Sequence, residues 1–94
     1  LSVDNKISSI KLSLKTNDSF ETIKTKLNSL DNIQDITLVE EDNNIKTIIV
    51  KTTDKEPIEK VYKFIKNTDW IIYEFVKEKE NLETVFHTLT KGEN

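Results

Sequence analysis

Apolar and polar residues alternate from Ile7 to Lys15, with Ile10, Leu12 and Leu14 on one side and Ser9, Lys11, Ser13 and Lys15 on the other. That period of two predicts a half-buried strand, after a lead-in over residues 1–6. The period then lengthens. Phe20, Ile23, Leu27 and Leu30 fall on one face of a helix, and Asp18 with Glu21 has the form of a capping box at its start. Asp31-Asn32 closes this helix, Asn32 being the better left-handed C-terminal residue. A second strand is predicted from Ile33 to Glu41, with Ile36 and Leu38 facing together. Glu41-Asp42-Asn43-Asn44 is a turn by composition and leads into a third strand, Ile45 to Thr53. Ile48 and Val50 share one face there and Ile49 takes the other, which suits a central strand.

A second helix opens at Asp54-Lys55-Glu56-Pro57, with proline in the first turn where its missing N–H costs nothing. Ile58, Val61, Tyr62 and Ile65 form its apolar stripe and Phe64 flanks it, while Glu56–Lys60 and Glu59–Lys63 are spaced as i,i+4 pairs. After Asn67-Thr68-Asp69 a fourth strand begins at Trp70, with Trp70, Ile72 and Val76 on one face and Ile71, Tyr73 and Phe75 on the other. A short charged bridge follows. Asn81 then caps a last helix over residues 81–91, whose Leu82, Val85, Phe86 and Leu89 share a face, with Glu80 and Glu83 near its positive end.

The order is β-α-β-β-α-β with an additional C-terminal helix. The predicted class is α+β, a ferredoxin-like antiparallel sheet carrying two helices on one face. The opposite face holds Ile49 and one apolar set of the fourth strand, and it needs a cover from the last helix, a second copy or a partner.

Composition narrows the function classes. Ninety-four residues suit one domain over 1–94, and the absence of methionine, even at position 1, predicts a piece excised from a longer polypeptide. Net charge is -3 and every basic residue is lysine, which argues against nucleic acid as a partner. No cysteine is present for thiolate chemistry or a disulfide. Gly92 is the single glycine, so no phosphate-cradling loop can be built. His87 lies opposite the apolar stripe of the last helix, as a surface residue with no nucleophile arranged beside it. The acidic run Glu40-Glu41-Asp42-Asn43-Asn44 lacks the glycine and distal glutamate of a calcium loop and reads as a solvated turn. Lys11 and Lys15 read as an ordinary solvated strand face. No catalytic residue, metal ligand or cofactor site is assigned, and the chain is expected not to be an enzyme.

Known functional versions of the ferredoxin-like fold can be set against these residues. A copper carrier needs a cysteine pair and an acylphosphatase-like enzyme needs an arginine, and the chain has neither. An RNA-recognition version needs exposed aromatics on the central strands, where this chain offers serine, lysine and threonine. An amino-acid-sensing ACT-type domain usually has a glycine in the turn after the first strand; here that turn is Thr16-Asn17-Asp18-Ser19. This version, as a regulatory domain of a metabolic enzyme, stays open as the alternative.

The C-terminal stretch carries a more specific likeness. Trp70 opens a strand, a charged bridge follows, and Asn81-Leu82-Glu83-Thr84-Val85-Phe86-His87-Thr88-Leu89-Thr90 comes close to the end. This arrangement resembles the end of ATP-binding subunits of ABC-2-type exporters, in particular the gliding-motility-associated, GldA-like group. In that group a Ser/Thr-Leu-Glu-x-x-Phe-x-x-Leu-Thr helix follows a Trp-initiated strand. Leu82, Glu83, Phe86, Leu89 and Thr90 match, and Asn81 stands where the group has Ser or Thr, a swap that capping chemistry tolerates. The resemblance implies a bacterial, non-catalytic accessory domain of an ABC transporter, on the cytoplasmic side of the inner membrane, serving subunit contact or regulation. Its implied partners are the nucleotide-binding domain of the same chain, a second copy of itself and, through the parent, a membrane permease. ATP and magnesium would belong to the parent ATPase, whose own motifs are absent from these residues. Trp70, Leu82, Glu83, Val85, Phe86 and Leu89 are the residues expected to serve interaction or packing.

Overall fold

A computed structural model describes residues 7–78 of the chain. The elements are β1 (Ser8–Lys15), α1 (Phe20–Leu27), β2 (Ile33–Asp42), β3 (Ile45–Thr52), α2 (Pro57–Lys66) and β4 (Ile71–Glu78). The four strands form one antiparallel sheet in the order β2-β3-β1-β4. Each helix therefore connects two parallel strands that have an antiparallel strand between them, the split β-α-β arrangement of a ferredoxin-like fold. The expected class is observed. The predicted helix over residues 81–91 lies outside the described residues.

The core lies between the sheet and both helices. Ile10, Leu12 and Leu14 of β1 and Ile48 and Val50 of β3 are fully buried, and they pack in one cluster with Ile23 and Leu27 of α1 and Val61 and Ile65 of α2. Burying an aliphatic side chain of this size contributes about 1.5–3 kcal/mol. This cluster is what the alternation in β1 and the helical stripes were selecting.

Several boundaries differ from expectation for identifiable reasons. Helix α1 is capped by Ser19 and not by Asp18: the Thr22 amide donates to Ser19 Oγ at 3.2 Å. Its last turn ends at Leu27, with Asn28 as the C-cap, so Leu30 packs on the core from beyond the helix. Asn32 does take the left-handed conformation, at φ 69°, but in the turn that enters β2. Strand β2 runs through Asp42, so the hairpin turn shortens to Asn43-Asn44, with Asn43 at φ 57°. In α2 the Lys60 ammonium meets Asp54 at 2.7 Å instead of forming the predicted pair with Glu56. That contact ties the helix to the segment leading out of β3.

Strand β4 is the largest correction. It starts at Ile71, and its register with β1 shifts between Ser13 and Leu14: Leu14 is opposite Ile72 and Ser13 opposite Glu74, which leaves Tyr73 as the extra residue of a bulge. The bulge moves Phe75 onto the helix-covered face with Ile72, opposite Leu12, where its ring stacks on Tyr62 of α2 at 6.3 Å. Val76 moves to the other face, opposite Lys11. Simple alternation had placed these two residues the other way round.

Candidate interaction surface

The sheet face turned away from the helices carries four rows across β3, β1 and β4, one of them Ser9 between Lys51 and Glu78 and the other three lying in turn towards Lys15. In the first of these three, Ile49 and Val76 flank Lys11. In the second, Thr47 and Glu74 flank Ser13, and in the third, Ile45 and Ile71 flank Lys15. Ile71 and Val76 are exposed, at 55% and 46% of their surface, and Tyr73 on the bulge is 56% exposed. Ile45 and Ile49 are half-buried. Two partly apolar rows thus enclose a polar one.

In the middle row Ser13 and Thr47 are nearly closed to solvent, while Glu74 is exposed. Ser13 Oγ and Thr47 Oγ1 lie 2.8 Å apart in a hydrogen bond, and these residues are 6% and 9% exposed. Ser13 Oγ also approaches Glu74 Oε1 at 3.4 Å, and Glu74 forms a 3.8 Å ion pair with Lys11. A pair of hydroxyls that satisfy each other can be covered without leaving an orphan polar group.

At one end of the sheet the turn between β1 and α1 meets the start of β4. Trp70 is 5% exposed, and its indole Nε1 donates to Asp18 Oδ2 at 2.9 Å. Lys26 donates to the same oxygen at 3.2 Å and lies over the indole ring, while Phe64 meets that ring edge-on at 6.1 Å. The Trp70 hydrogen bond, followed by that of Lys26, holds the Asp18 carboxyl below its ordinary value of 3.8. Beside this cluster is an open cleft of about 270 Å³, lined by Lys15, Asn17, Asp18, Asn44 and Asp69 among others.

Lys46 is a position that the sequence pattern did not single out. It stands opposite Leu14 on the helix-covered face and is 6% exposed, with its ammonium 3.5 Å from Glu41. Its methylene stem extends the core while its charged end finds a partner on the neighbouring strand. Its place in the Ile48–Val50 phase was the available signal.

Of the residues expected to serve interaction or packing, Trp70 packs inside the molecule against Asp18, Lys26 and Phe64. Leu82, Glu83, Val85, Phe86 and Leu89 lie outside the described residues, as does His87. Among the described residues no group of three or more His, Cys, Asp or Glu side chains is placed to hold a metal ion, and no helix is long and apolar enough to cross a membrane. Comparison with protein-family models, curated proteins and solved structures finds no match for this chain.

Proposed function

We propose that this chain is a non-catalytic accessory domain of the ATP-binding subunit of an ABC-2-type exporter, of the gliding-motility-associated kind, acting through subunit contact or regulation of the ATPase cycle. The observation that carries this reading is the run from Trp70 to Thr90, a Trp-initiated strand followed by Asn-Leu-Glu-x-x-Phe-x-x-Leu-Thr. The fold is compatible with it, because the first part of that run forms β4, a strand at the edge of the sheet. Among the described residues no element covers the second sheet face, and its exposed Ile71 and Val76 give such a domain a surface on which to dock.

The test is an immunoblot of separated membrane and soluble fractions of the source organism, with antibody raised against this domain. A much heavier band in the membrane fraction, released together with the solubilised transporter, is the expected result. A soluble band belonging to another enzyme would remove the transporter reading.

The cleft at the β1–α1 turn favours a second reading, an ACT-like domain that senses a small molecule. Lys15 offers a positive charge there, and Asp18 and Asp69 offer negative ones, a set suited to a zwitterion such as an amino acid. A saturable rise in melting temperature with one amino acid would select this reading. A flat response across the set would remove it.

A further inference from the structure

The two edges of the sheet are not equally guarded. An edge strand leaves a row of backbone N–H and C=O groups open to pairing, and charges and bulges are the usual defence. Strand β2 has both. Asp35, Glu40, Glu41 and Asp42 are exposed along it, and its register with β3 shifts between Ile33 and Asp35 and again between Leu38 and Glu40. Strand β4 shifts once, at the Tyr73 bulge, after which residues 74–78 pair regularly with β1. Among the described residues β1 is the one strand beside it. Exposed apolar side chains also gather at this edge. Ile71, Tyr73 and Val76 lie on β4 and Tyr62 of α2 stacks on Phe75, whereas on β2 the large exposed apolar residue is Val39.

Charge selects what can pair there. Joining β4 to β2 of another molecule would bring the acids of β2 to a strand that carries Glu74 and Glu78, and joining β2 to β2 would set those acids against their own copies. A contact of β4 with β4 is closed by a two-fold axis. With that axis perpendicular to the sheet, each face continues into the same face of the second copy. Phe75 and Lys77 point to the helix side and Glu74, Val76 and Glu78 to the other, so an antiparallel register has to centre on one residue. Centred on Glu74, Lys77 or Glu78, it opposes that charge to its own copy. Centred on Val76, it opposes Glu74 to Glu78. Centred on Phe75, it places Phe75 against Phe75 and Glu74 against Val76 on both sides of the axis, and no like charges stand directly opposite.

We propose that two copies of this chain pair through β4, antiparallel about a two-fold axis, with Phe75 opposite the second copy's Phe75 and Glu74 opposite its Val76. Main-chain hydrogen bonds then continue the sheet from one copy into the next, and the two Phe75 rings, each backed by Tyr62, meet on the helix-covered side. The pairing goes beyond the transporter reading and does not rest on it, since it follows from the edge and its register.

Sedimentation of the 94-residue chain over a range of concentrations tests the dimer, and charges introduced at Val76 test its register. Val76 is exposed and stands opposite Lys11 in its own copy. Val76→Glu opposes two pairs of acids across the axis and should weaken the dimer about tenfold, while the same acid beside Lys11 leaves the monomer folded. Val76→Lys should strengthen the dimer, because it meets Glu74 of the second copy, even though it repels Lys11 in its own. A folding defect would give the reverse order. Isotope-filtered NMR of mixed labelled and unlabelled chains should show Val76 methyls close to Glu74 between copies. A chain that stays monomeric up to millimolar concentration overturns the proposal, as does a dimer that the two substitutions shift in the same direction or not at all. Contacts from the free edge of β4 to another segment of its own molecule overturn it as well. Membrane fractionation decides the transporter reading separately.

Discussion

Trp70 connects three parts of the molecule through one indole. Its N–H reaches Asp18 in the turn after β1, its ring edge meets Phe64 of α2, and the Lys26 ammonium from α1 lies over its face. Replacing it by phenylalanine keeps a buried ring but removes the hydrogen bond. The Asp18 carboxyl is then expected to titrate closer to its ordinary value of 3.8, since the indole bond is the largest cause of its depression. A carboxyl whose folded pKa is depressed stabilises the fold above its ordinary pKa, and that contribution is lost as pH falls through the folded value. The stability gap between the native chain and Trp70→Phe should therefore be wide at neutral pH and narrower below 3.8. Carboxyl NMR titration, with denaturation at both pH values, would check it; an Asp18 titration unmoved by the substitution would refute the assigned cause. The sequence showed Trp70 as a large apolar residue at a strand start. That Asp18 would serve the indole, leaving the cap to Ser19, depends on a contact spanning 52 positions, which no local pattern encodes.

Among the elements, the short-range signals mark where each one begins better than where it ends. Ser19 caps α1 through the Thr22 amide, and Ser19→Ala should destabilise the protein by about 1 kcal/mol, the usual value for such a cap. Asp18→Asn should leave the cap itself intact, and comparing the two variants by urea denaturation would separate the two residues. Asn43 sits at φ 57° in the two-residue turn between β2 and β3. Asn43→Ala should cost about 1 kcal/mol, because a Cβ without a compensating side-chain amide disfavours the left-handed region; Asn43→Gly should cost less, and equal losses would show that the conformation is not the reason. The helical stripes and the alternation of β1 were legible in the chain because each repeats over several residues. The phase of β4 was not. A single extra residue at Tyr73 reverses every position after it, and the bulge is defined by the pairing with β1, not by composition.

For the molecule as a whole, the two sheet faces should respond very differently to substitution. Ile48 is fully buried in the cluster shared by sheet and helices, and Ile48→Ala should cost about 2–5 kcal/mol through lost burial and the cavity left behind. Tyr73 stands exposed on the bulge, and Tyr73→Ser should fall within roughly 0.5 kcal/mol of the native chain. Thermal or urea unfolding of both variants measures the contrast. A large loss at Tyr73 would mean that the bulge ring is itself covered.

By itself, the sequence determined the number, type and order of the described elements, and with them the split β-α-β topology. It did so because period-two and helical spacing are local properties, and because short connections and right-handed crossovers leave few ways to assemble such a series. It also identified the helix-facing residues of β1 and β3, since each of these strands keeps a regular alternation. Tertiary structure decided which face Phe75 and Val76 occupy, which residue caps α1, and that Lys46 joins the core side beside Glu41. It also brought Ser13 and Thr47 together as a closed polar pair on the outer face. Each of these outcomes depends on the register between strands or on a contact between distant positions, and the energy that selects them exists only once the sheet has formed.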